Sequence, residues 1–155
     1  MRPVTVTTEV NADQKTVYEF LSVLGAHELF TAPMLVDYQP SGPERGVGAQ
    51  VRLTAVVGKR REPVDVTVIE DVPPSRIVEF NISARGRRRA TGTYELEPLP
   101  GDRTRVTFVY AWQHLPFAER VLGPMVRSAM RHSLTITQSN LAARFANAKT
   151  ATDAA

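Results

Sequence analysis

The chain has 155 residues, 43% hydrophobic and 23% charged, a balance that suits one globular domain and gives no support to general disorder. It contains no cysteine, which excludes disulfides, thiolate metal sites and cysteine nucleophiles, and its net charge of +3 mildly favours anionic partners. No apolar run approaches the roughly 18 residues of a membrane-spanning helix, and Met1-Arg2-Pro3 leads into Val4-Thr5-Val6-Thr7 instead of an apolar leader, so a cytoplasmic protein is expected.

Residues Arg2 to Val10 alternate, with Val4, Val6, Thr8 and Val10 on one side, which predicts a first strand with one buried face. Asn11 with Gln14 has the spacing of a capping box, and Val17, Phe20, Leu21 and Leu24 then fall on one helical face up to Gly25. A second short helical turn is expected from His27 to Phe30, ended by Pro33. The pattern then becomes period two, with strands expected at Leu35–Gln39, Ala49–Val57, Pro63–Glu70, Arg76–Ser83, Arg89–Glu97 and Thr104–Gln113. The connections are short, so the strands should pair as an antiparallel meander, with the turns 58–62 and 84–88 at the end of the sheet where the last strand also finishes. After a lead-in turn from Pro116 to Gly123, a long helix is expected from Pro124 to Asn147, with residues 148–155 as a frayed tail. Its apolar stripe is Leu122, Met125, Val126, Ala129, Met130, Leu134, Leu141 and Phe145. At 1.5 Å per residue such a helix extends roughly 34 Å, enough to cross a sheet that curves around it and to leave a cavity between them. The expectation is one domain over residues 1–147.

Several landmarks resemble one family. They are Val6-x-x-x-Val10-x-Ala12 leading to Val17-Tyr18-x-Phe20-Leu21, the turn Gly46-Val47-Gly48, and Val66-x-x-Ile69-x-x-x-Pro73 before Arg76-Ile77-Val78. Gly92-x-Tyr94-x-Leu96-x-Pro98 with Thr104-Arg105-Val106-Thr107 completes the set. Over about residues 3 to 145 the chain is similar to the SRPBCC (START-like) superfamily, in its polyketide cyclase/dehydrase and lipid-transport branch. The resemblance implies an α+β helix-grip fold: a seven-stranded curved antiparallel sheet around the long final helix, with two short helices between the first two strands. It implies an internal site for a hydrophobic or amphipathic molecule, lipid or polyketide-like, used as carrier or sensor. The alternative is an aromatase/cyclase or dehydratase, in which a shaped pocket does most of the work by positioning. The matching residues are turn and core features, so they speak to fold more than to activity.

The expected cavity residues are Tyr38, Arg52, Phe80, Tyr94, Phe108, Tyr110, Trp112, Met125, Ala129 and His132. Aromatic rings supply apolar area, and hydroxyl, indole or guanidinium groups orient a ligand. The competing reading is that the rings fill the core and His132 lies on the helix surface. The histidines, His27, His114 and His132, lack metal-ligand spacing, so no metal or cofactor is expected. Two basic clusters, Lys59-Arg60-Arg61 and Arg85 with Arg87-Arg88-Arg89, should share one rim, and the resemblance places the cavity mouth at that end. Such a rim suits an acidic carrier protein or membrane surface, or else serves solubility; alone it would make the chain an interaction module. Without interleaved exposed aromatics or a recognition helix, the basic residues argue against nucleic acid. Monomer and dimer both remain compatible with the sequence.

Overall fold

The computed structural model describes the backbone of residues 1–153 and the side chains of residues 1–83 and 85–146. Strand β1 (Val4–Val10) is followed by helix α1 (Gln14–Leu21), a 3₁₀ turn (Leu24–His27) and helix α2 (Glu28–Thr31). Six strands follow: β2 (Leu35–Ser41), β3 (Gln50–Val57), β4 (Arg60–Val72), β5 (Arg76–Ser83), β6 (Arg88–Leu99) and β7 (Arg103–His114). Helix α3 (Phe117–Val121) and helix α4 (Gly123–Asp153) complete the chain. All strands pair antiparallel in one sheet ordered β1-β7-β6-β5-β4-β3-β2, so the meander is closed by the first strand returning beside the last. The fold is the expected helix-grip arrangement.

The differences lie in local chemistry. The N-cap residue of α1 is Asp13, not Asn11, and it makes no side-chain cap, while Gln14 Nε2 donates to the carbonyl of Leu96 at 2.9 Å. β4 is longer than expected because Gly58, at φ +60°, allows a two-residue turn, and the ladder resumes with Val57 opposite Arg60. Arg60, Arg61 and Glu62 are therefore strand residues, not a loose tip. α4 continues to Asp153 instead of ending at Asn147, so the tail expected from residue 148 is helical at least that far. Residues 154–155 lie outside the described residues.

The register sorts the side chains. One row across the concave face runs Ile77, Tyr94, Phe108, Val6; the next runs Glu79, Gly92, Tyr110, Val4; a third runs Asn81, Ala90, Trp112. Gly92 is needed where it stands: a β-carbon there would lie 2.8 Å from Phe108 Cζ, because that ring folds across β6. It also meets Tyr94, with centroids 4.5 Å apart. α1, α2 and the end of α4 cover one half of this face, forming the core of Val10, Val17, Leu21, Leu24, Phe30 and Leu141 against the strands.

The sheet's edges are treated differently. Just before β1, Arg127 Nη2 donates to the carbonyl of Pro3 at 3.1 Å, and longer contacts link Arg127 to the Arg2 carbonyl and Arg131 to that of Thr5 on the strand. The other edge, β2, is broken by a bulge between Val36 and Gln39, with Asp37 at φ 58°, and carries Pro40. Among the described residues, no helix is long and apolar enough to cross a membrane.

Candidate functional site

β5 places Glu79 on the concave face, opposite Gly92, with 6% of its surface exposed. Its Oε1 lies 3.5 Å from Nδ1 of His27, held in the 3₁₀ turn above the sheet. His27 Nε2 is 2.7 Å from the Leu21 carbonyl, so that nitrogen carries the hydrogen and Nδ1 presents its lone pair to the carboxyl group. The separation is long for an O–H···N bond, and Glu79 Oε1 has no hydrogen-bond partner. Burial pushes Glu79 up to about 8. It pushes His27 down to about 4, against the opposing Leu21 bond. At neutral pH the pair is thus an uncharged acid beside an uncharged imidazole.

Two tyrosines stand close to this pair. Tyr38 and Thr31 Oγ1 share a hydrogen bond of 2.9 Å, and burial raises the Tyr38 hydroxyl far above its ordinary value, against the Thr31 bond and with the nearby Glu79 and Glu28 adding to it. Tyr94 is fully enclosed and raised by burial first and Glu79 second; its ring lies edge-on to His27 at 5.6 Å. A neutral carboxyl group, an imidazole and two protonated phenols in an apolar setting can donate hydrogen bonds or exchange a proton with a carbonyl or hydroxyl compound.

Further along the same face the groups are charged. Arg88, opposite Ser83 in the β5–β6 ladder, turns inward and donates to Ser83 Oγ, to Glu62 and, with two nitrogens, to Glu119 of α3. Burial works against its charge, but the bonds to Glu119 and Glu62 outweigh it and raise its pKa. Tyr110 sits nearby, pushed up to about 12 by burial, and packs edge-on against Trp112 at 5.3 Å. Trp112 Nε1 and Gln138 Oε1 of α4 are buried without hydrogen-bond partners.

Tyr38, Tyr94, Phe108, Tyr110 and Trp112 are thus gathered on the concave side, while the other expected cavity residues are not. Arg52 lies on the convex face, paired with Asp65, because its neighbours Val51 and Leu53 point inward. Phe80 is convex too, aligned with Thr67 and Thr91, since Ile77, Glu79 and Asn81 take the inward phase. Met125, Ala129 and His132 are exposed on α4, whose inward positions are Val126, Met130, Leu134, Gln138 and Leu141. At the rim Lys59, Arg60, Arg61, Arg85, Arg87 and Arg89 are exposed, whereas Arg88 is half-buried and turned to the concave side.

Two cavities of note are peripheral. A cleft of about 530 Å³ lies at the start of α4 among Met1, Arg2, Leu115, Arg120, Gly123, Pro124 and Arg127. A groove of about 360 Å³ runs between the Val23–Gly25 segment and the β2–β3 connection. Neither is lined by the concave aromatics. On the concave face Leu35, Tyr38, Val64, Tyr110 and Leu134 pack against the core and are partly buried.

Sequence reasoning missed Glu79, His27 and Arg88 as interior groups. The apolar side of β5 (Val78, Phe80, Ile82) drew attention to the wrong face. The available clue was Tyr94-x-Leu96 on β6, whose inward phase demands Ile77 and Glu79 beside it.

Comparison with known proteins agrees with the fold. In solved structures the TTHA0849 protein of Thermus thermophilus superposes with a TM-score of 0.78 at 19% identity, covering 95% of this chain and 99% of that one. A START superfamily protein from Mycobacterium smegmatis gives 0.73 at 19% identity, covering 94% and 97%. DynU16, from the dynemicin biosynthetic locus, gives 0.63 at 16% identity, covering 90% of this chain and 45% of its own. Among curated proteins, the structural polyprotein of infectious pancreatic necrosis virus (strain Jasper) is 30% identical over 115 residues, 68% of this chain; the match spans 12% of the polyprotein. The family profile described as polyketide cyclase/dehydrase and lipid transport matches residues 1–146, and the chain belongs to that family.

Proposed function

We propose that the chain holds a hydrophobic or amphipathic small molecule, lipid or polyketide-like, on the concave face beneath the first half of α4, as a carrier or sensor. One observation supports this most directly. Full burial on the described part of α4 is confined to Thr137, Gln138 and Leu141, while the earlier inward positions Val126, Met130 and Leu134 are only half-buried, which supports room for a ligand beside them. Tyr110 and Trp112 would stack on the ligand there, with the Trp112 N–H and the Gln138 carbonyl available to its polar groups. Native mass spectrometry of protein purified without detergent, with titration of an environment-sensitive fatty-acid probe, tests the reading. Uptake that falls severalfold in Tyr110→Ala supports it; no copurifying compound and no probe uptake would overturn it.

Glu79 and His27 favour a second reading, catalysis of cyclisation or dehydration in the same site. An acid kept neutral beside an acceptor nitrogen is suited to giving and recovering a proton as a polyketide-like chain is folded. A Glu79→Gln variant that binds the probe normally yet turns over a poly-β-ketone substrate as fast as the parent would remove this reading. Under either reading the basic end is where an acidic carrier protein or membrane would deliver the molecule.

A further inference from the structure

The end of the sheet formed by Val57–Arg60, Ser83–Arg88 and His114 has a surface of unusual composition. Phe117, Val121, Leu122 and Met125 of the α3–α4 segment are 79%, 64%, 48% and 61% exposed, and Val57 at the β3 tip is 69% exposed. Large apolar side chains projecting from separate elements at one end need a partner or an apolar phase. Around them stand Lys59, Arg60, Arg85 and Arg120, which enter no ion pair among the described residues. The nearby carboxylates are already engaged, Glu62 and Glu119 by Arg88 and Asp37 by Arg61.

The opposite end is electrically quiet. There Arg76 pairs with Glu70 and Glu95, Arg103 with Glu9, and Arg105 with Glu97 and Glu9. Unpaired positive charge is thereby concentrated at the end that carries the apolar side chains.

We propose that this end docks on an anionic lipid bilayer, with Phe117, Val121, Leu122 and Met125 entering the interfacial layer and Lys59, Arg60, Arg85 and Arg120 meeting lipid phosphates. Apolar insertion plus attraction to anionic lipid is what holds interfacial helices at membranes. A partner protein's helix would seat its apolar anchors in a groove, and the cleft at the start of α4 is not lined by Phe117, Val121, Leu122 or Met125, which project outward beside it. The proposal deepens the reading of the concave face as a ligand site: Tyr110, Trp112 and Arg88 lie at this same end, so an insoluble molecule could pass between bilayer and protein without crossing open water.

Co-sedimentation with vesicles of phosphatidylcholine alone, and of phosphatidylcholine with phosphatidylglycerol, tests it. Binding is expected only to the anionic vesicles, weakening as salt rises. A Phe117→Ser/Val121→Ser variant, and separately an Arg85→Glu/Arg120→Glu variant, should each lose at least about tenfold in partitioning. The substituted side chains are exposed, so melting temperatures should hold; should the double variant melt early, Phe117→Ser alone carries the apolar test. Probe uptake on the same variants reports the concave face independently, so loss of one leaves the other standing. No sedimentation, equal sedimentation with both vesicle types, or indifference to both variants overturns the proposal. So does retention on immobilised holo acyl carrier protein, abolished by Phe117→Ser, without vesicle binding, which would make the partner a protein.

Discussion

Glu79 and His27 face each other at 3.5 Å, and burial moves their proton affinities in opposite directions, up to about 8 and down to about 4. Folding stability must therefore respond to pH in two windows. Between about 4.5 and 8 the unfolded chain releases the Glu79 proton and the folded chain keeps it, so stability falls as pH rises. Between about 6.5 and 4 the unfolded chain protonates His27 and the folded chain does not, so stability also falls as pH drops. Glu79→Gln abolishes the first window. Urea unfolding at both ends of that window should show the variant gaining on the parent at the alkaline end, on the order of a few kcal/mol. An equal offset at both pH values would mean that Glu79 is ionised in the folded protein.

Arg88 fastens α3, none of whose residues is fully buried, to the sheet through Glu119, while a second carboxylate from β4 joins it. Arg88→Ala leaves two half-buried carboxylates without a cation and should cost about 1–3 kcal/mol, below the figure for a fully buried pair. Thermal unfolding should register this as a fall of about 2–4 °C per kcal/mol. Glu119→Gln, which keeps one hydrogen-bond acceptor, should lose less; the reverse order would contradict the assignment of Arg88 as the hub.

Gly92→Ala places a methyl group where the Phe108 ring lies and should destabilise by about 1–3 kcal/mol through overpacking. Adding Phe108→Leu should recover much of that loss, a coupling readable in a double-mutant cycle. Additive losses would show that the obstacle is elsewhere.

Trp112 is the chain's one tryptophan, and its indole N–H is buried without an acceptor. A ligand seated against β7 should change its emission, and Tyr110→Ala should weaken that response severalfold without abolishing the folded signal. Emission that stays constant while a probe binds would place the ligand away from β7.

The sheet was legible because Gly, Pro and charged turns punctuate period-two segments, and short connections leave the meander as the simple solution. Side-chain phase was harder to read. The bulge between Val68 and Glu70 shifts the β4–β5 register, and β5 has polar residues inside and Val78, Phe80 and Ile82 outside, so an apolar-inward rule chose Phe80 over Glu79. On α4 a broad apolar stripe hid the true inward line. The helix lies against β1, with Arg127 and Arg131 reaching the carbonyls of Pro3 and Thr5, and Met125, Ala129 and His132 are on its exposed side. Arg88 looked like a member of a charged tip because the strand was expected to start only at Arg89; with β6 beginning at Arg88 it takes the inward phase of Ala90, Gly92 and Tyr94, where Ser83, Glu62 and Glu119 meet it.

Both selvedges of the sheet are obstructed, one by α4 guanidinium groups that reach the carbonyls of Pro3 and Thr5 at the start of β1 and the other by a kink and an imino acid in β2. A foreign strand finds no continuous ladder to extend. Crowded copies of this chain should consequently resist fibrillar growth by edge-to-edge strand addition.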